Sequence, residues 1–194
     1  MPNWCYNTIE ITGSKDNISK LLDTITNDTD KECVQYTLTN CMPVPKEMEG
    51  LHEGFRTIDD VRVEVWYEDK DGPRPMLDMV KDELMEKYGS FKPIEWQYRN
   101  WGTKWGDCDT RLLNQCDEEL TIAFDSAWGQ PFLLLQHIAT EYDVQITNTY
   151  EIELGNGEGV SNYPWQPEED EAIRAGWSAD MDSLERISED IVKD

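Results

Sequence analysis

Near each end of this chain the hydrophobic period switches from that of a strand to that of a helix and back again, and few folds accommodate such a pattern. At the N-terminal end, "WCYNTIEITG" places Trp4 and Tyr6, then Ile9 and Ile11, among polar neighbours, as a strand closed by Gly13 does. Its alternation slips phase between Tyr6 and Ile9. "SKDNISKLLDTI" follows, with Ile18, Leu21, Leu22 and Ile25 at helical spacing and Ser14 or Asp16 as the N-cap. "CVQYTLTN" then alternates Val34, Tyr36 and Leu38, which predicts a second strand. The rhythm returns later in the chain. "ELTIAFDSAW" alternates Leu120, Ile122 and Phe124; "GQPFLLLQHIATEY" is an apolar helix with Pro131 near its first turn; "DVQITNTYEIEL" alternates Val144, Ile146, Tyr150 and Ile152.

The order is β-α-β, an insertion, then β-α-β, which predicts an α+β fold of the ferredoxin-like, split βαβ type: an antiparallel sheet with its helices on one face. Residues 1–155 would form this domain, with the insertion at about 43–118. Within the insertion, "VRVEVWYED" reads as a strand and "PMLDMVKDELMEKYG" as a helix stopped at Gly89. "YRNWGTKWGD" reads as a turn. Residues 156–194 would be a glycine-rich loop, "GNGEGVSNYPW", and an acidic helical tail. The loop has neither the lysine nor the spacing of a P-loop, and Glu158 would repel phosphate.

The 194 residues hold 41 Asp and Glu against 17 Lys and Arg, a formal charge of −24, and also eight Trp and eight Tyr. Disordered chains are poor in large aromatics, so the pattern is a folded core under a strongly solvated, acidic exterior. A chain this acidic is repelled by nucleic acid and by anionic membrane surfaces, and it favours basic partners. No apolar run reaches a membrane span, and the N-terminus lacks the pattern of a signal peptide. Five cysteines without such a signal suggest reduced thiols in a cytosol. No CxxC pair occurs and His52 and His137 are isolated, so neither a metal nor another cofactor is expected. GxSxG is absent too. A Cys-His dyad would need His52 or His137 to meet Cys5 or Cys41 in space, which spacing does not predict.

Three stretches taken together, "MPNWCYNTIEITG", "NWGTKWG" and "FDSAWGQP", resemble the YubB-like family of phage and conjugative-plasmid proteins, over residues 1 to about 155. Gly106-Asp107 departs from the Asp-Ala that the family usually carries after the second tryptophan. The resemblance implies a ferredoxin-like domain and a mobile-element origin, and it transfers no catalytic residue. On this reading the chain is a non-enzymatic protein that binds and inhibits a basic host protein, as a counter-defence or takeover factor. Its tail carboxylates, Glu168, Glu169, Asp170, Glu171, Asp180, Asp182, Glu185, Glu189 and Asp190, would imitate nucleic-acid phosphates. The alternative is a binding module for nucleotides or single strands, built on an aromatic corner of Trp101, Lys104, Trp105 and Trp128. Large aromatics at such corners usually pack, and packing is the expectation for these. A divergent hydrolase using paired carboxylates is the third reading.

Overall fold

The computed structural model describes residues 3–27, 34–70, 72–155 and 157–165. The chain divides into two units, Met1–Tyr163 and Pro164–Asp194, and the elements below belong to the first.

β1 (Trp4–Thr12) leads into α1 (Lys15–Ile25), which Ser14 caps by accepting the Asn17 N–H at 3.3 Å. The chain then leaves the main sheet. Thr26–Asn27 (β2) and Gln35–Tyr36 (β3) pair only with each other, and β4 (Leu51–Ile58), β5 (Val61–Asp69) and β6 (Gly72–Pro75) make a separate three-stranded sheet. Helices α2 (Asp78–Tyr88) and α3 (Pro93–Trp101) follow, each ended by a glycine in the left-handed conformation, Gly89 and Gly102. The chain re-enters the main sheet as β7 (Cys108–Gln115) and β8 (Glu119–Ala127), crosses through α4 (Phe132–Glu141), and finishes with β9 (Gln145–Ile152) and β10 (Gly157–Tyr163). The main sheet runs β10-β9-β1-β8-β7, with every pairing antiparallel. Removing β10 leaves the strand order of a ferredoxin-like domain.

Three expectations need correction. The second core strand is β7, not residues 34–38, so the insertion lies between α1 and β7 and ends before Cys108. Only Gln35 and Tyr36 pair in the expected strand, and Leu38–Cys41 winds into a 3₁₀ turn. β7 is an edge strand with two register shifts and little buried surface, so it carries no clean apolar alternation. The glycine-rich segment is likewise a strand, and the sheet extends to Tyr163. Gly159 fits there because a Cβ would lie 2.8 Å from the Tyr150 hydroxyl on β9. Finally, the first residues of "YRNWGTKWGD" complete α3 instead of forming a turn.

The core lies on one face of the sheet. Ile9 and Ile11 of β1, and Leu120, Ile122 and Phe124 of β8, are fully buried with Leu21 and Ile25 of α1 and Leu134, Leu135 and Ile138 of α4. Burying each such side chain contributes roughly 1.5–3 kcal/mol. The opposite face of the main sheet carries neither α1 nor α4.

Candidate functional site

β1 explains how this face, helix-free among the described residues, is built. Cys5, Asn7, Ile9 and Ile11 point into the core, so Trp4, Tyr6, Thr8 and Glu10 point away from it. Pairing extends each outward residue into a row across the sheet. Tyr6 lies between Asp125 on β8 and Glu151 on β9, and Glu158 on β10 continues that row. The next rows read Val160, Thr149, Thr8, Ala123, Arg111 and Asn162, Thr147, Glu10, Thr121, Asn114. In these rows Glu10, Asp125, Glu151 and Glu158 face a single cation, Arg111.

Two hollows lie along the row of Tyr6, which is 45% exposed: one at Asp125 and one that Tyr6 itself lines. One of about 710 Å³ is lined by Asp107, Asp109, Arg111 and Asp125, with Gln35, Tyr36, Thr37 and Thr110. The other, of about 510 Å³, is lined by Tyr6, Thr8, Thr149, Tyr150, Glu151, Glu158, Gly159 and Val160. Burial raises the Asp125 carboxyl above its ordinary value; Arg111 opposes this rise and Asp109 adds to it. Burial, and then Asp107, Asp109 and Asp125, push the Cys108 thiol up, which marks the convergence of three carboxylates here.

The aromatic corner closes one end of the face, and its members divide between two roles. Trp101 packs as expected: it is 5% exposed, meets Trp96 edge-on at 5.8 Å, and its indole N–H donates to the Met42 carbonyl at 2.8 Å. Gly102 has φ +82, and a Cβ there would lie 2.4 Å from the Phe132 ring. The buried Thr103 hydroxyl donates to the Ala127 carbonyl. A Cβ on Gly106 would come within 2.5 Å of Thr39. Asp107 accepts the Leu38 and Thr39 N–H groups at 2.7 and 3.1 Å and the Thr110 hydroxyl at 2.8 Å. Most of this motif therefore fastens α3, the 3₁₀ turn and β8 together.

Packing does not account for the other two tryptophans. Trp105 is 37% and Trp128 52% exposed. Trp105 leans on Trp4, with centroids 5.9 Å apart, and Lys104 Nζ lies 5.1 Å from its ring. Trp128 has φ +72, a left-handed conformation that costs a bulky side chain energy. Its backbone N–H donates to the Asn3 carbonyl at 2.8 Å.

A buried polar network holds the turn that presents Trp128. Asn7 donates to the Cys5 carbonyl and to Ser126 Oγ, both at 2.9 Å, and Ser126 donates to the Gly129 carbonyl at 2.7 Å. Asn148 donates to Asn7 at 3.1 Å and to Gln130 at 3.0 Å; Gln130 also accepts from the Tyr163 hydroxyl and donates to Ser161, both at 2.9 Å. The Asn148 Oδ1 is buried without a partner among the described residues. Sequence reasoning named none of these amides as site residues. The signal was the phase slip in β1, which put Asn7 inward and Trp4 and Tyr6 outward.

The sulfur-imidazole pairing takes no activated form. His137 Nε2 lies 3.2 Å from the backbone carbonyl of Cys41, and burial holds the Cys41 thiol up at about 11. His52 stacks on Trp66 at 5.7 Å. Among the described residues no group of three or more His, Cys, Asp or Glu side chains has a metal-holding arrangement, and no helix is long and apolar enough to cross a membrane. The tail carboxylates of residues 168–190 lie outside the described residues.

Comparison with known proteins places the fold. Residues 100–189 match the model of a ferredoxin-like domain in Api92-like protein, a stretch that includes β7, β8, α4, β9 and β10. The crystal structure of a protein Api92 from Yersinia pseudotuberculosis is similar, with a TM-score of 0.49 and 11% identity over 84% of this chain and 94% of that one. No curated protein matches. By the family model and by its strand order, this chain carries a ferredoxin-like domain.

Proposed function

We propose that this chain is a non-enzymatic interaction protein that captures a basic protein partner on the helix-free face of its sheet. The observation that carries this reading is the row Asp125, Tyr6, Glu151, Glu158: carboxylates on three strands around a half-exposed aromatic ring. Charge complementarity of this kind speeds encounter and rejects polyanions, and an exposed aromatic among the charges supplies a contact that survives salt. If the mobile-element origin implied by the sequence resemblance holds, the partner is a host protein and capture blocks its action.

The test is affinity capture by the full chain across a salt series, followed by reconstitution with the identified partner. Neutralising Asp125, Glu151 and Glu158 together is expected to weaken binding roughly tenfold, at ~0.5 kcal/mol per charge, and to flatten its salt dependence. Unchanged affinity would remove this face from the reading, and retention of nucleic acid alone would overturn the reading itself.

One observation favours a second reading, a module for nucleotides or single strands: Trp105 and Trp128 are exposed, with Lys104 over Trp105. Tryptophan emission titrated with oligonucleotides and nucleotides, alongside direct binding, tests it. No response in either assay eliminates it.

A further inference from the structure

We infer that the group recognised by this face is the arginine guanidinium, presented by an arginine-rich segment of the partner. This rests on the proposed capture of a basic protein and adds the chemistry of recognition. An acidic surface alone would accept any cation, but this face places π surfaces among its carboxylates. Tyr6 is 45% exposed, and its direct neighbours across the strands are Asp125 and Glu151. Directly opposed residues have Cβ atoms about 4.5–5.5 Å apart, so a planar cation lying on the Tyr6 ring is within reach of a carboxylate on either side.

A guanidinium satisfies both demands together: its face stacks on the ring while its N–H edge donates to a carboxylate in pairs. A lysine ammonium is a compact, strongly hydrated point charge and meets only the second demand well. The aromatic run continues past Tyr6 to Trp4, two residues along the same face of β1, and from Trp4 to Trp105 at 5.9 Å. Arginines spaced along one segment therefore have successive platforms at Tyr6 and Trp4, while Lys104 already lies over the Trp105 ring. The hollow that Tyr6 lines offers a further carboxylate, Glu158, and the hollow at its neighbour Asp125 offers Asp109. The face already holds one guanidinium of its own, Arg111, close enough to influence Asp125. Nucleic acid is the poorer occupant, because its phosphates would meet Asp125, Glu151 and Glu158 with only Arg111 in these rows, and Lys104 at the aromatic corner, to balance them.

The experiment uses the full chain and two labelled synthetic peptides of equal length and charge. One is charged through arginine alone and the other through lysine alone. Fluorescence anisotropy at several salt concentrations gives the affinities. The arginine peptide is expected to bind roughly tenfold tighter, a difference of about 1.4 kcal/mol. Tyr6→Ala should abolish most of that preference and Tyr6→Phe should keep it, since the ring and not the hydroxyl makes the contact. Asp125→Asn with Glu151→Gln should weaken both peptides alike, with urea unfolding confirming that each variant is folded.

Equal affinity for the two peptides would overturn the inference and leave the proposed capture of a basic protein standing. So would binding of a basic protein that neither peptide competes away and Tyr6→Ala does not alter. If neither the peptides nor any basic protein binds, the inference and the proposed function fail together.

Discussion

At Trp128 the ordinary ranking of alanine over glycine should reverse. Its φ of +72 lies where every residue with a Cβ is crowded, at a cost of about 1–2 kcal/mol. Trp128→Ala and Trp128→Gly lose the same indole, so whatever contact the half-exposed ring makes cancels when the two variants are compared. What remains is the strain that glycine relieves, about 1–2 kcal/mol, against the extra freedom glycine has in the unfolded chain, about 0.4–1 kcal/mol. The glycine variant should therefore be the more stable by about 0.5–1 kcal/mol. With a urea m-value of roughly 2 kcal/mol/M, its midpoint should lie about 0.3–0.5 M above that of the alanine variant. Trp128→Asn should fall between them, because asparagine tolerates this region better than alanine. Equilibrium urea unfolding followed by circular dichroism reads all three. Alanine equal to or above glycine would refute the argument that strain is stored at this turn, and with it the view that the buried amide network holds the turn against a cost.

Three further expectations follow from the geometry. Gly102→Ala combines a left-handed φ with a Cβ 2.4 Å from the Phe132 ring, and should destabilise by about 3 kcal/mol, read as a lowered urea midpoint. In thiol labelling mapped by mass spectrometry, the exposed Cys116 should react first among the described cysteines, while Cys5 and Cys41 stay protected until unfolding. Burial lifts both of those thiols to about 11, which leaves roughly one thiolate in a thousand at pH 8. Asp125 has its carboxyl raised by burial, so its native form holds a proton more tightly than its unfolded form. That contribution to stability is present at acid pH and is lost as pH rises through the raised value. Asp125→Asn should accordingly be more stable than the parent at pH 7, with the advantage shrinking on acidification, and a constant difference across pH would contradict this.

The parts of the fold that show in the sequence are those whose side chains obey one period. α1, α4, β8, β9 and the Ile9–Ile11 end of β1 each bury one face against the common core, so their apolar residues recur at fixed spacing. β7 does not, because an edge strand with bulges buries little, and its apolar Leu112 and Leu113 are adjacent. β10 reads as a loop for a different reason: Gly155 and Gly157 are turn residues by composition, and only Tyr150 on the neighbouring strand explains the glycine at 159. In "NWGTKWG" the sequence identifies a motif without separating its roles. Trp101 and Trp105 are chemically identical, yet one donates its indole N–H to Met42 in the interior and the other lies partly in solvent against Trp4. That difference is set by α3 ending at Gly102, a glycine stop that is passed over when the whole stretch is read as a turn. The helix-free face was legible only as an irregularity, the phase slip of β1, because Asn7 takes a core position that an apolar residue ordinarily fills.

The order of strands also has a consequence in time. β1 is made first, but its place lies between β8 and β9, which leave the ribosome more than a hundred residues later. β7, β8, α4, β9 and β10 are nearly contiguous and contain all the main-sheet pairings that do not involve β1. Loop closure makes distant contacts slow relative to local ones. The C-terminal half should thus assemble on its own and wait with a gap between β8 and β9, and the N-terminal strand should enter last. The aromatic and acidic face, whose central column is β1, would come into being only at that final step, once the whole sheet has been translated.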